Sequence, residues 1–144
     1  MPPFRPVANL TPPKTEAELS DAAPAVEKLA DPKTQKTYSF SFEWSAPNGT
    51  KLQGSFTNKI LTIAERSEVD IRLARLNGGM PIESLPPLSV ERNQALAWMS
   101  LSLKDRPDWA KDLMALEYEG VIFELWAMVG AHESAYFRGG TGAG

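Results

Sequence analysis

Tyr38-Ser39-Phe40-Ser41-Phe42-Glu43-Trp44-Ser45 places an aromatic ring at every even position and serine or glutamate at every odd one. Side chains of an extended chain point to alternate faces, so this spelling predicts a β-strand with four rings on one face and small polar groups on the other. Each ring carries about 150–250 Å² of mostly apolar surface. That is too much to leave in water, so helices of the same chain or another molecule must cover it.

The residues that follow supply a second strand. Ala46-Pro47-Asn48-Gly49-Thr50 is a turn signal, and Lys51-Leu52-Gln53-Gly54-Ser55-Phe56-Thr57 alternates again with Leu52 and Phe56 on one face. The two segments predict an antiparallel hairpin. A two-residue Asn48-Gly49 loop would set Trp44 opposite Gln53 and Phe42 opposite Ser55, mixing apolar with polar on each face. A loop of three or five residues places Trp44 against Gly54 or Leu52, and Phe42 against Phe56 or Gly54, so that a ring lies over bare glycine backbone.

Helical periodicity takes over after Ile60. Thr62-Ile63-Ala64-Glu65 matches a capping box, Val69, Leu73 and Leu76 recur on one face, and Asn77-Gly78-Gly79 supplies a left-handed stop. Beyond a Pro-containing loop, Ser89 is the expected N-cap of a second helix over 90–104, apolar around most of its circumference and therefore central. Arg106-Pro107-Asp108-Trp109 breaks the chain and restarts a short helix. A last helix is predicted over about 117–137, ended by Gly139 and Gly140. Along it Tyr118, Ile122, Leu125, Val129, His132 and Tyr136 form one stripe.

The fold class that results is α+β: an N-terminal antiparallel β-hairpin packed on a C-terminal bundle of three to four helices, with an extended Pro-rich arm. The 144 residues, 42% hydrophobic and 23% charged, suit one domain with extensions. Residues 1–37 hold seven of the twelve prolines and no aromatic except Phe4, so they read as an arm that makes little core by itself. Within the arm, Thr15-Glu16-Ala17-Glu18 resembles a capping box, and the residues after Pro24 suit a helical turn. Residues 38–138 form the single α+β domain, and 139–144 a flexible glycine-rich tail.

Composition narrows the functional classes. Net charge is −3 and the Lys and Arg residues are interspersed with acids, leaving no basic stripe for a phosphate backbone. The ring face of the first strand lacks the cationic groove that single-strand binders pair with stacking platforms, so nucleic acid is not an expected partner. Cysteine is absent, which excludes disulfides and thiolate chemistry. The start Met-Pro-Pro-Phe-Arg-Pro has no apolar signal region and no apolar run approaches a membrane span, so neither export nor a membrane is expected. Asn48-Gly49-Thr50, formally a glycosylation acceptor, is accordingly read as a turn.

Candidate chemistry is sparse. His132-Glu133-Ser134-Ala135-Tyr136 begins like a zinc-protease helix but has Tyr where the second histidine belongs, and the chain has no other histidine. No metal and no cofactor is expected. His132 reads as a satisfied core or interface residue rather than a general base, and no serine sits in a nucleophile elbow. Glu117 and Glu119 suit a solvated helix start. Asp105, Asp108 and Asp112 crowd the Arg106-Pro107 break, where N-capping by Asp105 or Asp108 is the simpler expectation.

The succession of hairpin, capped helix with a Gly-Gly end, Pro-containing loop and helical tail, with Arg106-Pro107-Asp108-Trp109-Ala110-Lys111-Asp112-Leu113 and Glu124-Leu125-Trp126-Ala127-Met128-Val129-Gly130-Ala131-His132-Glu133-Ser134-Ala135-Tyr136-Phe137-Arg138, resembles small proteins of the structural gene cluster of tailed bacteriophages. The resemblance spans about residues 38–138. It implies non-enzymatic work, either permanent incorporation in a head or tail or transient binding of a tail protein as an assembly chaperone, with a virion location after synthesis in the host cytoplasm. The expected partners are other phage structural proteins or copies of the chain itself. Phe4, Val7 and Leu10 are the expected anchors of the arm on a neighbour. A small hydrolase using His132 with Glu133 or Asp112 is the remaining class.

Overall fold

The computed structural model describes residues 32–139. They form an α+β arrangement of one three-stranded antiparallel sheet and three α-helices. In chain order the elements are β1 (Thr37–Ser45), β2 (Lys51–Lys59), α1 (Ile63–Leu76), α2 (Pro87–Ser102), β3 (Leu103–Asp105) and α3 (Glu119–Gly139), with β2 in the middle of the sheet.

The hairpin has the odd-numbered loop that facial segregation requires. Ala46 N–H donates to the Thr50 carbonyl at 2.7 Å and Gly49 N–H to the Ala46 carbonyl at 2.9 Å. Pro47, Asn48 and Gly49 thus form a three-residue loop, with φ of +92° at Gly49, a left-handed position that favours glycine. Asn48 Oδ1 accepts the Thr50 N–H at 3.0 Å. The register pairs Phe40 with Phe56, Phe42 with Gly54 and Trp44 with Leu52. Phe40, Phe42 and Phe56 are buried, while Ser39, Ser41, Glu43 and Ser45 are exposed. What closes over the bare Gly54 is Pro107: a Cβ built on Gly54 would lie 2.7 Å from Pro107 Cγ.

α1 begins and ends as its sequence dictates. Thr62 accepts the Glu65 N–H, the Glu65 carboxylate accepts the Thr62 N–H, and Glu65 also pairs with Lys59. The Lys59 ammonium, with the Thr62 N–H, holds the Glu65 carboxyl below the usual carboxylate range. Gly78 and Gly79 then take positive φ to stop the helix. The Asn93 side-chain amide donates to Asn77 Oδ1 at 2.9 Å, fixing that end to α2.

α2 is central. Its Ala95, Leu96 and Met99 join Phe40, Phe42 and Phe56 from the sheet and Val121, Ile122, Leu125 and Val129 from α3 in the main core, while Ala97 packs with Leu61 and Val69 on the α1 side. α3 runs lengthwise beneath β1 in the opposite direction. At its start Tyr118 and Gly120 meet Trp44, and twelve residues on, His132 meets Tyr38 at a ring separation of 5.4 Å.

Four expectations are corrected. α2 starts at Pro87 with Pro86 as N-cap and no side-chain cap, so Ser89 lies inside the first turn; proline at N1 needs no N–H partner there. The residues after Ser102 leave the helix and pair with β2 as β3, giving a third strand that the helical reading of 90–104 absorbed. The short helix after Arg106 is one 3-10 turn, Asp108–Ala110, and the last helix is Glu119–Gly139, so Gly139 is helical. Of the predicted stripe, Ile122, Leu125, Val129 and His132 are buried, Tyr136 is half-buried and Tyr118 lies just before α3. The anchors Phe4, Val7 and Leu10, the two helical signals of the arm and the residues after Gly139 lie outside the described residues.

Candidate protein-binding surface

The lone imidazole is part of the packing. α3 carries His132 under the sheet, where it is fully buried. Its Nε2 lies 2.7 Å from the Gln35 carbonyl, which can only accept, so Nε2 carries the proton; Nδ1 then accepts the Asn58 side-chain amide at 2.9 Å. Both ring nitrogens are occupied and Tyr38 covers one face. The ring fastens residues 32–35, read from the sequence as the end of the arm, to β2 and α3. The Asn58 carbonyl oxygen has no partner within this cluster.

Glu133, the neighbour of His132 in a hydrolase reading, points elsewhere. It accepts the Trp98 indole N–H at 2.7 Å, and burial pushes its carboxyl above the usual range against the opposing pull of that bond and of Arg66. Asp112, the other hydrolase candidate, caps the 3-10 turn Leu113–Ala115 by accepting the Met114 N–H at 3.1 Å. Asp105 lies in β3, and Asp108 opens a turn whose N-cap is Pro107, so the capping expected of them falls to Asp112. Among the described residues no three His, Cys, Asp or Glu side chains gather as a metal site would need.

Arg106 is a residue whose role the sequence reading missed. Its guanidinium donates to the carbonyls of Met99 and Ser100 in the last turn of α2 and to those of Leu103, Ala110 and Lys111, at 3.1–3.4 Å. Burial lowers its pKa, and Asp112 partly offsets this. One side chain thereby satisfies the end of α2 and positions β3 and the following turns. An open cleft of about 510 Å³ adjoins it, lined by the buried Leu96 and Leu113 and by charged Glu68, Arg75, Lys111 and Asp112. The Arg72 guanidinium at the cleft is already tied to Glu68 and Ser100.

The two edges of the hairpin differ. On the β2 side, β3 pairs with Thr57 and Asn58, and beyond it the Trp109 indole N–H donates to the Gln53 carbonyl at 2.9 Å, with its ring against Phe42 and Phe56. The β1 side has no such cover among the described residues. The bonds Ala46 to Thr50 and Ile60 to Lys36 mark the hydrogen-bonded pairs of the ladder, so even-numbered β1 residues bond to β2. The backbone groups of Thr37, Ser39, Ser41, Glu43 and Ser45 therefore point outward along a nine-residue strand without Pro, Gly, Lys or a bulge, the devices that usually blunt an edge. Glu43, its single charge, is paired with Lys51 at 3.4 Å.

Among the described residues no helix is long and apolar enough to cross a membrane. No family model, curated protein or solved structure matches this chain.

Proposed function

We propose that the chain is a non-enzymatic structural subunit of a bacteriophage particle, in its head or tail, that works by protein contacts with other phage structural proteins or with copies of itself. In this reading the hairpin and helices form the rigid body, and the extended arm ties it to a neighbour through Phe4, Val7 and Leu10. The observation that supports it is the β1 edge, uncovered among the described residues, a continuous row of outward backbone donors and acceptors that suits a protein partner. His132, with both nitrogens bonded inside the packing, supports the same reading, as does the resemblance of residues 38–138 to proteins of the phage structural gene cluster.

Mass spectrometry of purified virions tests it. The chain is expected at a fixed stoichiometry with the head or tail proteins. Its absence from finished particles, with recovery on a tail protein in infected-cell extracts, would replace this reading by that of a transient tail-assembly chaperone.

A further inference from the structure

We propose that the β1 edge receives residues 4–12 from the arm of a neighbouring copy, as a fourth strand of the sheet. The neighbour is supplied by the reading of this chain as an assembly subunit, on which the proposal rests; the match between edge and segment does not depend on it.

The helical layer leaves room for one strand. Three strands spaced by ~4.8 Å span about 14 Å. Two helices side by side span about 20 Å. β3, Pro107 and Trp109 occupy the far side of the sheet, so among the described residues the surplus width lies beyond β1. There α3 presents the flank opposite the one that meets α2. Trp126 and Glu133 on the α2 side contact Trp98. At 100° per residue the opposite flank carries Glu124, Ala131 and Ala135, exposed or half-buried, with half-buried Met128 toward the core. Pro32–Thr34 already pack on α3 beside His132, so the shelf left for another strand is the part of this flank around Glu124 and Met128. A whole second copy pairing β1 with β1 would bring its own α3 to about one strand spacing, closer than helices pack. A single extended segment meets no such obstacle.

The segment Phe4-Arg5-Pro6-Val7-Ala8-Asn9-Leu10-Thr11-Pro12 fits by three parities. Phe4, Pro6, Ala8, Leu10 and Pro12 are all apolar and share one face of an extended chain, while Arg5, Asn9 and Thr11 share the other with Val7. Proline tolerates an edge strand only where its missing N–H would face away from the ladder. Pro6 and Pro12 both fall on the even register, so Arg5, Val7, Asn9 and Thr11 keep every N–H needed to pair inward, and Pro3 and Pro13, on the odd register, stop the ladder at each end. Opposed residues share a face. The odd residues of the segment must therefore stand with the exposed Ser39, Ser41 and Glu43, and its apolar even residues with the rings of β1 above the α3 shelf. Arg5, Val7, Asn9 and Thr11 then oppose four odd-numbered residues of β1, and the four pairs form about eight ladder hydrogen bonds.

The absence of cysteine makes cross-linking a clean test. Full-length Asn9→Cys protein is mixed with full-length Ser39→Cys, Ser41→Cys, Glu43→Cys or Ser45→Cys protein at millimolar concentration under a mild oxidant; the four acceptors cover successive registers of that face. A disulfide-linked heterodimer is expected with at least one acceptor. Replacing the donor by Ala8→Cys, on the opposite face, is expected to lower the yield at least about tenfold, because a disulfide needs Cβ atoms about 4 Å apart. A disulfide within single chains of an Asn9→Cys/Ser41→Cys variant at high dilution would overturn exchange between copies, and absence of cross-links with all four acceptors would overturn the pairing itself. Either result is separable from failure of the subunit reading, which virion composition decides independently.

Discussion

His132 and Glu133 are adjacent in sequence and opposite in role, because α3 turns one into the core and the other toward Trp98. Removing the imidazole in His132→Ala strands the Asn58 amide and the Gln35 carbonyl around a cavity. A loss of about 3 kcal/mol or more is expected, read as a lowered denaturation midpoint by circular dichroism. An unchanged midpoint would return His132 to the list of chemical candidates. Glu133 gives a pH signature. Its folded-state pKa is raised above the ordinary 4.5, so between that value and the higher folded one the native state binds more protons than the unfolded chain. Its contribution is therefore most favourable below pH 4.5 and is lost as pH rises through the folded pKa. Glu133→Gln keeps an acceptor for Trp98 and abolishes the titration. Relative to wild type the variant should gain stability as pH rises above 4.5, and parallel stability curves from denaturant titrations at several pH values would refute this origin.

Gly54 shows how an element can depend on a distant loop. The strand passes under Pro107, and a methyl group on Gly54 would lie 2.7 and 2.8 Å from two ring carbons that cannot rotate away. Gly54→Ala is expected to cost about 1–3 kcal/mol and to weaken the Trp109 to Gln53 closure beside it, detectable as faster amide exchange along β2. A neutral effect on both would mean that the Pro107 loop moves freely. The same neighbourhood explains what was legible in the sequence. Alternation and facial segregation were enough for β1, β2 and the parity of their loop, and the capping box with Gly78 and Gly79 was enough for both ends of α1. β3 was not legible, because Leu103-Lys104-Asp105 is too short to show a period and follows a helix without a stop residue. Arg106 gave no local signal either. Its five carbonyl partners lie between Met99 and Lys111 in a backbone path that only the folded chain defines.

For the whole molecule the proposed division is between a body, residues 32–139, that closes on itself and an N-terminal segment assigned to contacts with a neighbour. Every buried hydrophobic residue among those described lies between Phe40 and Val129, and the ties before β1 named above, Gln35 to His132 and Lys36 to Ile60, begin after residue 31. Deleting residues 2–30 should therefore leave cooperative unfolding intact, with a thermal midpoint shifted by less than about 5 °C. The same deletion removes the proposed anchors Phe4, Val7 and Leu10 and the proposed donor segment, so incorporation into particles should be lost while the folded monomer persists. The two outcomes separate because folding depends on the ring face of the hairpin against α2 and α3, whereas the proposed assembly contact uses the β1 edge. A truncated chain that loses its cooperative transition would show that the arm is part of its own core. One that folds and still assembles would move the contact from the arm to the body, where the cleft beside Arg106 is the next surface to mutate.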